Sequence, residues 1–81
     1  MIRVRIVTPQ GTLYACDNAR GVFLPGTLGP FEVLKGHAPI ITSLDPGTVS
    51  WVGTDGKEGS LAISSGFMEV RNNTVSVYVE L

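Results

Sequence analysis

A single histidine, His37, and a single cysteine, Cys16, stand in this chain, so residues able to do acid–base, nucleophilic or metal chemistry are scarce and far apart. His37 lies within Gly36-His37-Ala38-Pro39. A general base needs an oriented nucleophile or carboxylate in hydrogen-bond reach, and a tetrahedral metal needs further nitrogen or sulfur ligands. Neither stands beside it. The two ring nitrogens suit it instead to bridge backbone groups in a tight loop.

Other candidate chemistry meets the same test. Gly56-Lys57 is followed by Glu58, and Trp51 occupies the place of the leading glycine of a phosphate-binding loop, so no nucleotide site is expected. Ser64-Ser65-Gly66-Phe67 lacks the leading glycine of a nucleophile elbow and its Asp/His companions. Asn72-Asn73-Thr74 has the glycosylation pattern but reads as a hairpin turn between Arg71 and Thr74. Lys57, in Asp55-Gly56-Lys57-Glu58-Gly59, falls at an expected hairpin tip with a two-residue Asp-Gly turn. An exposed tip lysine is where lipoyl- and biotinyl-type carrier domains hold their cofactor, so a swinging-arm carrier modified at Lys57 is the alternative reading. The residues around Lys57 are not the Asp-Lys-Ala or methionine-rich setting of those domains.

Composition narrows the classes further. Six basic and seven acidic side chains give a formal charge of −1, which offers neither a counterion-releasing nucleic-acid surface nor a polybasic membrane patch. The six aromatics, Tyr14, Phe23, Phe31, Trp51, Phe67 and Tyr78, are scattered and not interleaved with basic residues, as a single-strand stacking platform would require. No apolar run approaches the ~20 residues of a membrane span, and Arg3 and Arg5 interrupt the apolar start, which is unlike a signal peptide. The 81 residues make one domain, 1–81, with one core. A core of this size contributes roughly 3 to 5 kcal/mol of net stability, and one cysteine cannot staple it.

The elements that must position these residues are strands. Period-two alternation, bounded by glycine, proline and asparagine, recurs along the whole chain and helical periodicity is absent. Ile2, Val4 and Ile6 share one face of a first strand, with Arg3 and Arg5 on the other; Val75, Val77, Val79 and Leu81 repeat the design in the last. Further strands are expected over 13–16, 21–24, 31–34, 40–44, 48–52, 60–64 and 67–71. The fold expected is all-β: a small two-sheet β-sandwich or flattened barrel of about eight to ten short, mostly antiparallel strands. Arg3, Arg5, Glu69 and Arg71 belong on a solvated sheet face with cross-strand ion pairs.

The string from Phe23 to Val49, with Leu24-Pro25-Gly26, Gly29 to Leu34, Gly36-His37-Ala38-Pro39, an apolar strand and Pro46-Gly47, resembles the N-terminal sandwich domain of the epsilon subunit of F-type ATP synthases. Ala62 to Val77 is similar to the same family's closing strands, so the likeness spans the chain. It implies a non-catalytic rotor subunit without a cofactor or small-molecule ligand. Its partners would be the gamma subunit and the polar loops of the c-ring, and it would carry proton-driven rotation of the ring to sites on other chains. By resemblance, Thr27, Leu28, Gly29, Pro30, Phe31 and Glu32 are c-ring contact candidates; His37, Ala38, Pro39, Ile40 and Thr42 are gamma contact candidates. The implied location is peripheral, on the cytoplasmic face of the bacterial inner membrane, with no direct insertion. Many members carry an acidic residue at the position of Pro30, a glycine at Glu32 and a proline at Lys35. Because side chains alternate, Glu32 is expected on the face that Pro30 occupies. Most bacterial and plastid members continue into a C-terminal helical hairpin; ending at Leu81, this chain is expected to show no arm-type self-inhibition and no ATP sensing.

Overall fold

Nine strands are present in the computed structural model, which describes residues 1–81: β1 (Ile2–Thr8), β2 (Gly11–Ala19), β3 (Gly21–Gly26), β4 (Gly29–Val33), β5 (Ile40–Leu44), β6 (Gly47–Val52), β7 (Glu58–Ile63), β8 (Ser65–Arg71) and β9 (Thr74–Glu80). The all-β expectation holds. Hydrogen bonding runs in the order β2-β1-β9-β8-β5-β3-β6-β7, with β4 on the free edge of β3. All neighbours are antiparallel except β1 and β9, the two ends of the chain, which pair in parallel.

One curled sheet supplies both layers of the sandwich. It folds over where β5 meets β3, a junction of a single residue pair, Gly26 with Leu44, reinforced by Asp45 N donating to Pro25 O at 2.8 Å and Thr27 N to Ser43 O at 3.1 Å. One layer is β2-β1-β9-β8-β5 and the other β4-β3-β6-β7. Alternation along β1 and β9 places Ile2, Val4, Ile6, Val75, Val77 and Val79 inside, against Val22, Leu24, Val33, Val49 and Ile63 of the second layer, and Met68 and Val70 fill the space between. Burying such side chains, each contributing roughly 1.5 to 3 kcal/mol before entropy, is the main drive to fold.

Two local expectations are corrected. Leu81 does not extend the buried row of β9: the strand ends at Glu80, whose carbonyl accepts from Ser64 N at 2.8 Å, and Leu81 is exposed. The β6–β7 connection is a five-residue loop, 53–57, closed by the Val52–Glu58 pair and not a two-residue Asp-Gly turn. Asp55 causes this: its carboxylate accepts from Lys57 N at 3.0 Å, and Gly53 N donates to Lys57 O at 2.8 Å, so the carboxylate shapes a wider turn. The Asn72-Asn73 turn is as expected, with φ of 50° and 57° between paired Arg71 and Thr74. Two successive positive φ values define the type I′ hairpin, whose twist matches the strands it joins.

Candidate functional site

The first candidate group forms the tip of the β3–β4 hairpin. Gly26 pairs with Gly29, leaving Thr27 and Leu28 as the turn, and the chain reverses through Gly29 at φ 130°. Only glycine takes that angle without strain. Thr27 is stapled to β5 by its amide and by its hydroxyl, 2.7 Å from Ser43 Oγ. Leu28 is left 99% exposed, the most solvated large apolar side chain of the molecule. Beyond the tip the alternation splits the group. Phe31 and Val33 turn inward opposite Leu24 and Val22, whereas Pro30 and Glu32 face out opposite Pro25 and Phe23. Glu32 therefore does share the face of Pro30.

The second group is a loop and the start of β5. His37 N donates to Leu34 O at 3.1 Å, and Gly36 has φ 83°. An i-to-i+3 bond with positive φ at the third residue is a type II turn. The His37 ring folds back on its own loop, with Nδ1 2.7 Å from Ala38 O; since a carbonyl can only accept, Nδ1 carries the proton. Gly36 N donates to Asn73 Oδ1 at 2.7 Å, and Asn73 O accepts from Arg3 N at 2.8 Å, so this loop is tied to the β8–β9 turn and the start of β1. Ile40 and Thr42 lie opposite buried Val70 and Met68, on the inner side of β5.

The two groups meet in part. Leu28, Gly29, Pro30 and Phe31 share an open depression of about 270 Å³ with Ile40 and Thr42. His37 approaches it through Phe31, ring centroids 6.5 Å apart. Ala38 and Pro39 are exposed on the loop, and Glu32 faces another depression with Phe23 and Pro25. Lys57 lies apart from both groups, exposed in the β6–β7 loop, 3.9 Å from Asp55.

A third surface, the outer face of β1, β9, β8 and β5, carries Arg3, Arg5, Glu69 and Arg71 on one solvated sheet face as expected, and adds the apolar Phe67, Tyr78 and Ile41, which sequence reasoning did not place there. Backbone partners align Arg3, Thr74 and Arg71 in one row; Arg5, Ser76, Glu69 and Ile41 in the next; and Val7, Tyr78, Phe67 and Ser43 in a third. Phe67 and Tyr78 stack at 4.9 Å, yet remain 53% and 40% exposed, and Ile41 is 73% exposed. The expected ion pairs are mostly absent. Arg3 reaches Asp17 at 3.5 Å, whereas Arg5, Glu69 and Arg71 have no opposite charge within 4 Å. The charged residues share the one face expected of them; only strand order brings Phe67, Tyr78 and Ile41 onto it.

Displaced titration occurs elsewhere. The Tyr14 hydroxyl is pushed up to about 12, by burial first, then by its bond to Cys16 and the charges of Cys16 and Asp55. The Cys16 thiol is lowered, chiefly by the Thr54 hydroxyl at 3.5 Å, against the opposing effect of burial. No three His, Cys, Asp or Glu side chains converge.

Residues 1–81 match the family described as ATP synthase, Delta/Epsilon chain, beta-sandwich domain. ATP synthase epsilon chains of Desulfosudis oleivorans, 43% identical over 98% of this chain, and Campylobacter lari, 44% over 95%, are similar to it. The chain spans 59% and 58% of the length of those relatives. Its fold is similar to chains in the Euglena gracilis mitochondrial ATP synthase (TM-score 0.89, 22% identity, 96% of this chain and 49% of that one) and in the Tetrahymena thermophila mitochondrial ATP synthase central stalk and c-ring (0.82, 15%, 99% and 63%). With the family matched from end to end and the sandwich in place, this chain belongs to the delta/epsilon beta-sandwich family of ATP synthase.

Proposed function

We propose that this chain is a non-catalytic part of the rotor of an F-type ATP synthase, seated between the gamma shaft and the polar loops of the c-ring and carrying the ring's proton-driven rotation to the shaft. The observation that carries this reading is the hairpin tip. Leu28 is fully solvated on a turn held by two contacts from Thr27 to Ser43, an arrangement that presents one apolar side chain on a stiff mount. A rigid two-layer body suits torque, because close-packed interiors transmit strain with little compliance. Thr27 to Glu32 meet the ring, and His37 to Thr42 begin the contact with gamma. The names of the relatives and the central-stalk setting of the Tetrahymena structure support this placement. Family membership sets aside the carrier alternative at Lys57.

No helix of the chain is long and apolar enough to cross a membrane. In this reading attachment is through protein contacts, on the cytoplasmic side of the bacterial inner membrane, as the resemblance implies. Reconstituting the ATP synthase in vesicles with and without this subunit tests the reading. We expect ATP-driven proton pumping per ATP hydrolysed to fall when it is omitted, and the chain to co-migrate with gamma on gel filtration. Full pumping in its absence, or no association with gamma, overturns the proposal.

A further inference from the structure

Of the aspartates and asparagines in the chain, Asp55 alone is followed by glycine. It lies in the β6–β7 loop with its side chain 61% exposed. Its Oδ1 accepts from Lys57 N at 3.0 Å, so the carboxyl group arches over the intervening Gly56 peptide, as in an Asx turn. Gly56 has φ 81° and no side chain to screen its nitrogen. That nitrogen donates to Gly53 O at 3.0 Å, a single bond in a surface loop, which local opening releases at little cost. The other candidates lack this setting. Asp45 precedes Pro46, which has no N–H; Asp17 and Asn18 are held in β2; Asn72 and Asn73 are each followed by a residue with a side chain.

We infer that Asp55 is a site of spontaneous backbone modification, where a carboxyl group poised over the next peptide nitrogen closes to a succinimide that opens to isoaspartate. With the carboxyl protonated, Gly56 N attacks Cγ; the N–Cγ bond forms, the Cγ–O bond to the hydroxyl breaks, and that hydroxyl leaves with the Gly56 proton as water. Water then opens the five-membered ring. Cleavage between Cγ and N restores Asp55, whereas cleavage between the α-carbonyl and N leaves the chain running through Cβ and Cγ with a free α-carboxylate. One water leaves and one returns, so mass is unchanged and no oxidant or reductant takes part. The isoaspartate lengthens the loop by one methylene and removes the carboxylate from Lys57 N. Thr54, whose hydroxyl donates to Asn18 O across to β2, is the neighbouring residue, so the modified loop loosens its hold on that strand.

The test ages the folded chain at mildly acidic pH and physiological temperature. Isoaspartate is counted with a carboxyl methyltransferase specific for it and labelled S-adenosylmethionine, and is located by peptide mapping. Variants are made at Asp55, because a Cβ at Gly56 would meet the Arg20 guanidinium at 3.2 Å and disturb the loop. The aged wild type should accept at least tenfold more methyl than Asp55→Glu, whose longer side chain would have to close a six-membered ring. Asp55→Asn keeps a side-chain oxygen for Lys57 N, so the loop is retained; it should form the same isoaspartate with loss of ammonia, seen as a mass change. Thermal unfolding before ageing verifies that both variants fold. Equal labelling of wild type and Asp55→Glu, or isoaspartate mapped to another residue, overturns the inference. So does a folded chain that reacts more than tenfold slower than the same chain in urea, since the loop would then protect the site it is inferred to expose.

Discussion

Tyr14 stacks on Trp51 with ring centroids 4.5 Å apart and planes inclined by 24°, although β2 is one terminal strand of the hydrogen-bonded order and β6 lies next to the other. The stack closes the curled sheet without a ladder. Around it, Arg20 N donates to Val52 O at 2.8 Å and the Thr54 hydroxyl donates to Asn18 O at 2.8 Å, so side chains and loop amides do the work that strand pairing does elsewhere. Two extra residues bulged into β2, between the partners of Ile2 and Val4 and of Ile6 and Val7, swing Tyr14 and Cys16 toward this seam.

The seam rests on a glycine. Trp51 lies flat over its cross-strand partner Gly59, where an added Cβ would meet the indole at 2.4 Å. Gly59→Ala should lift the ring from both Gly59 and Tyr14 and cost about 1 to 3 kcal/mol, the range for overpacking. Urea unfolding measures the loss, and Trp51, the only tryptophan, should shift its emission to longer wavelength. An unchanged midpoint would show that the stack does not hold the seam.

Titration at the same seam has two signs. Because Tyr14 is raised from 10.0 to about 12, the folded state keeps a proton that the unfolded chain gives up, and stability should fall as pH rises from about 10 to 12. Cys16 is lowered below 9.0, so its contribution is present above that value and is lost as pH falls through the depressed one. With the thiol neutral, S–H donates to Thr54 Oγ1; as thiolate, the sulfur accepts the hydrogen bond that the hydroxyl otherwise donates to Asn18 O. Iodoacetamide alkylation of Cys16 should therefore show a midpoint below 9.0, moving up in Thr54→Val. An ultraviolet titration of tyrosine should place one group near 12, absent in Tyr14→Phe.

At the His37 loop the prediction is a gain. Lys35 is the second residue of the type II turn whose third is Gly36, a position at which φ sits near the proline value, and its amide donates to no oxygen. Lys35→Pro should raise stability by about 0.4 to 1 kcal/mol, because it narrows the unfolded ensemble and leaves native bonds intact. A higher melting temperature checks it. A lower one would mean that the turn is not of this type in solution.

How far the sequence could be read follows from the range of the forces involved. The strands and their inward faces were legible because alternation is local; so were the Asn72-Asn73 turn and the backbone-binding role of the His37 ring. Three things were not. The Asp55 bond to Lys57 N that widens the β6–β7 turn competes with the ordinary Asp-Gly preference by a single contact. The stacks of Tyr14 on Trp51 and Phe67 on Tyr78 depend on strand order, which six scattered aromatics do not encode locally. The placement of β9 between β1 and β8 sets Arg5 across Ser76 from Glu69, two inter-strand spacings of about 4.8 Å apart, too far for the ion pair that adjacent strands could have made. The candidate tip and loop were found through resemblance, and their common depression became visible only when β5 was seen to run alongside the hairpin.

The hairpin tip separates side chain from scaffold in one experiment. Leu28 touches almost nothing within the chain, being 99% exposed, so Leu28→Ser should leave stability within about 0.5 kcal/mol of the original. Gly29→Ala forces a side chain onto φ 130° and should cost about 1 to 3 kcal/mol, even though open space surrounds the new methyl. Thermal and urea unfolding distinguish these outcomes. In the reconstituted enzyme the order should invert: Leu28→Ser lowers proton pumping despite normal folding, whereas Gly29→Ala, if saturated with gamma at low temperature, retains more of it. Should Leu28→Ser pump normally, the exposed leucine is incidental and the proposed ring contact does not run through it.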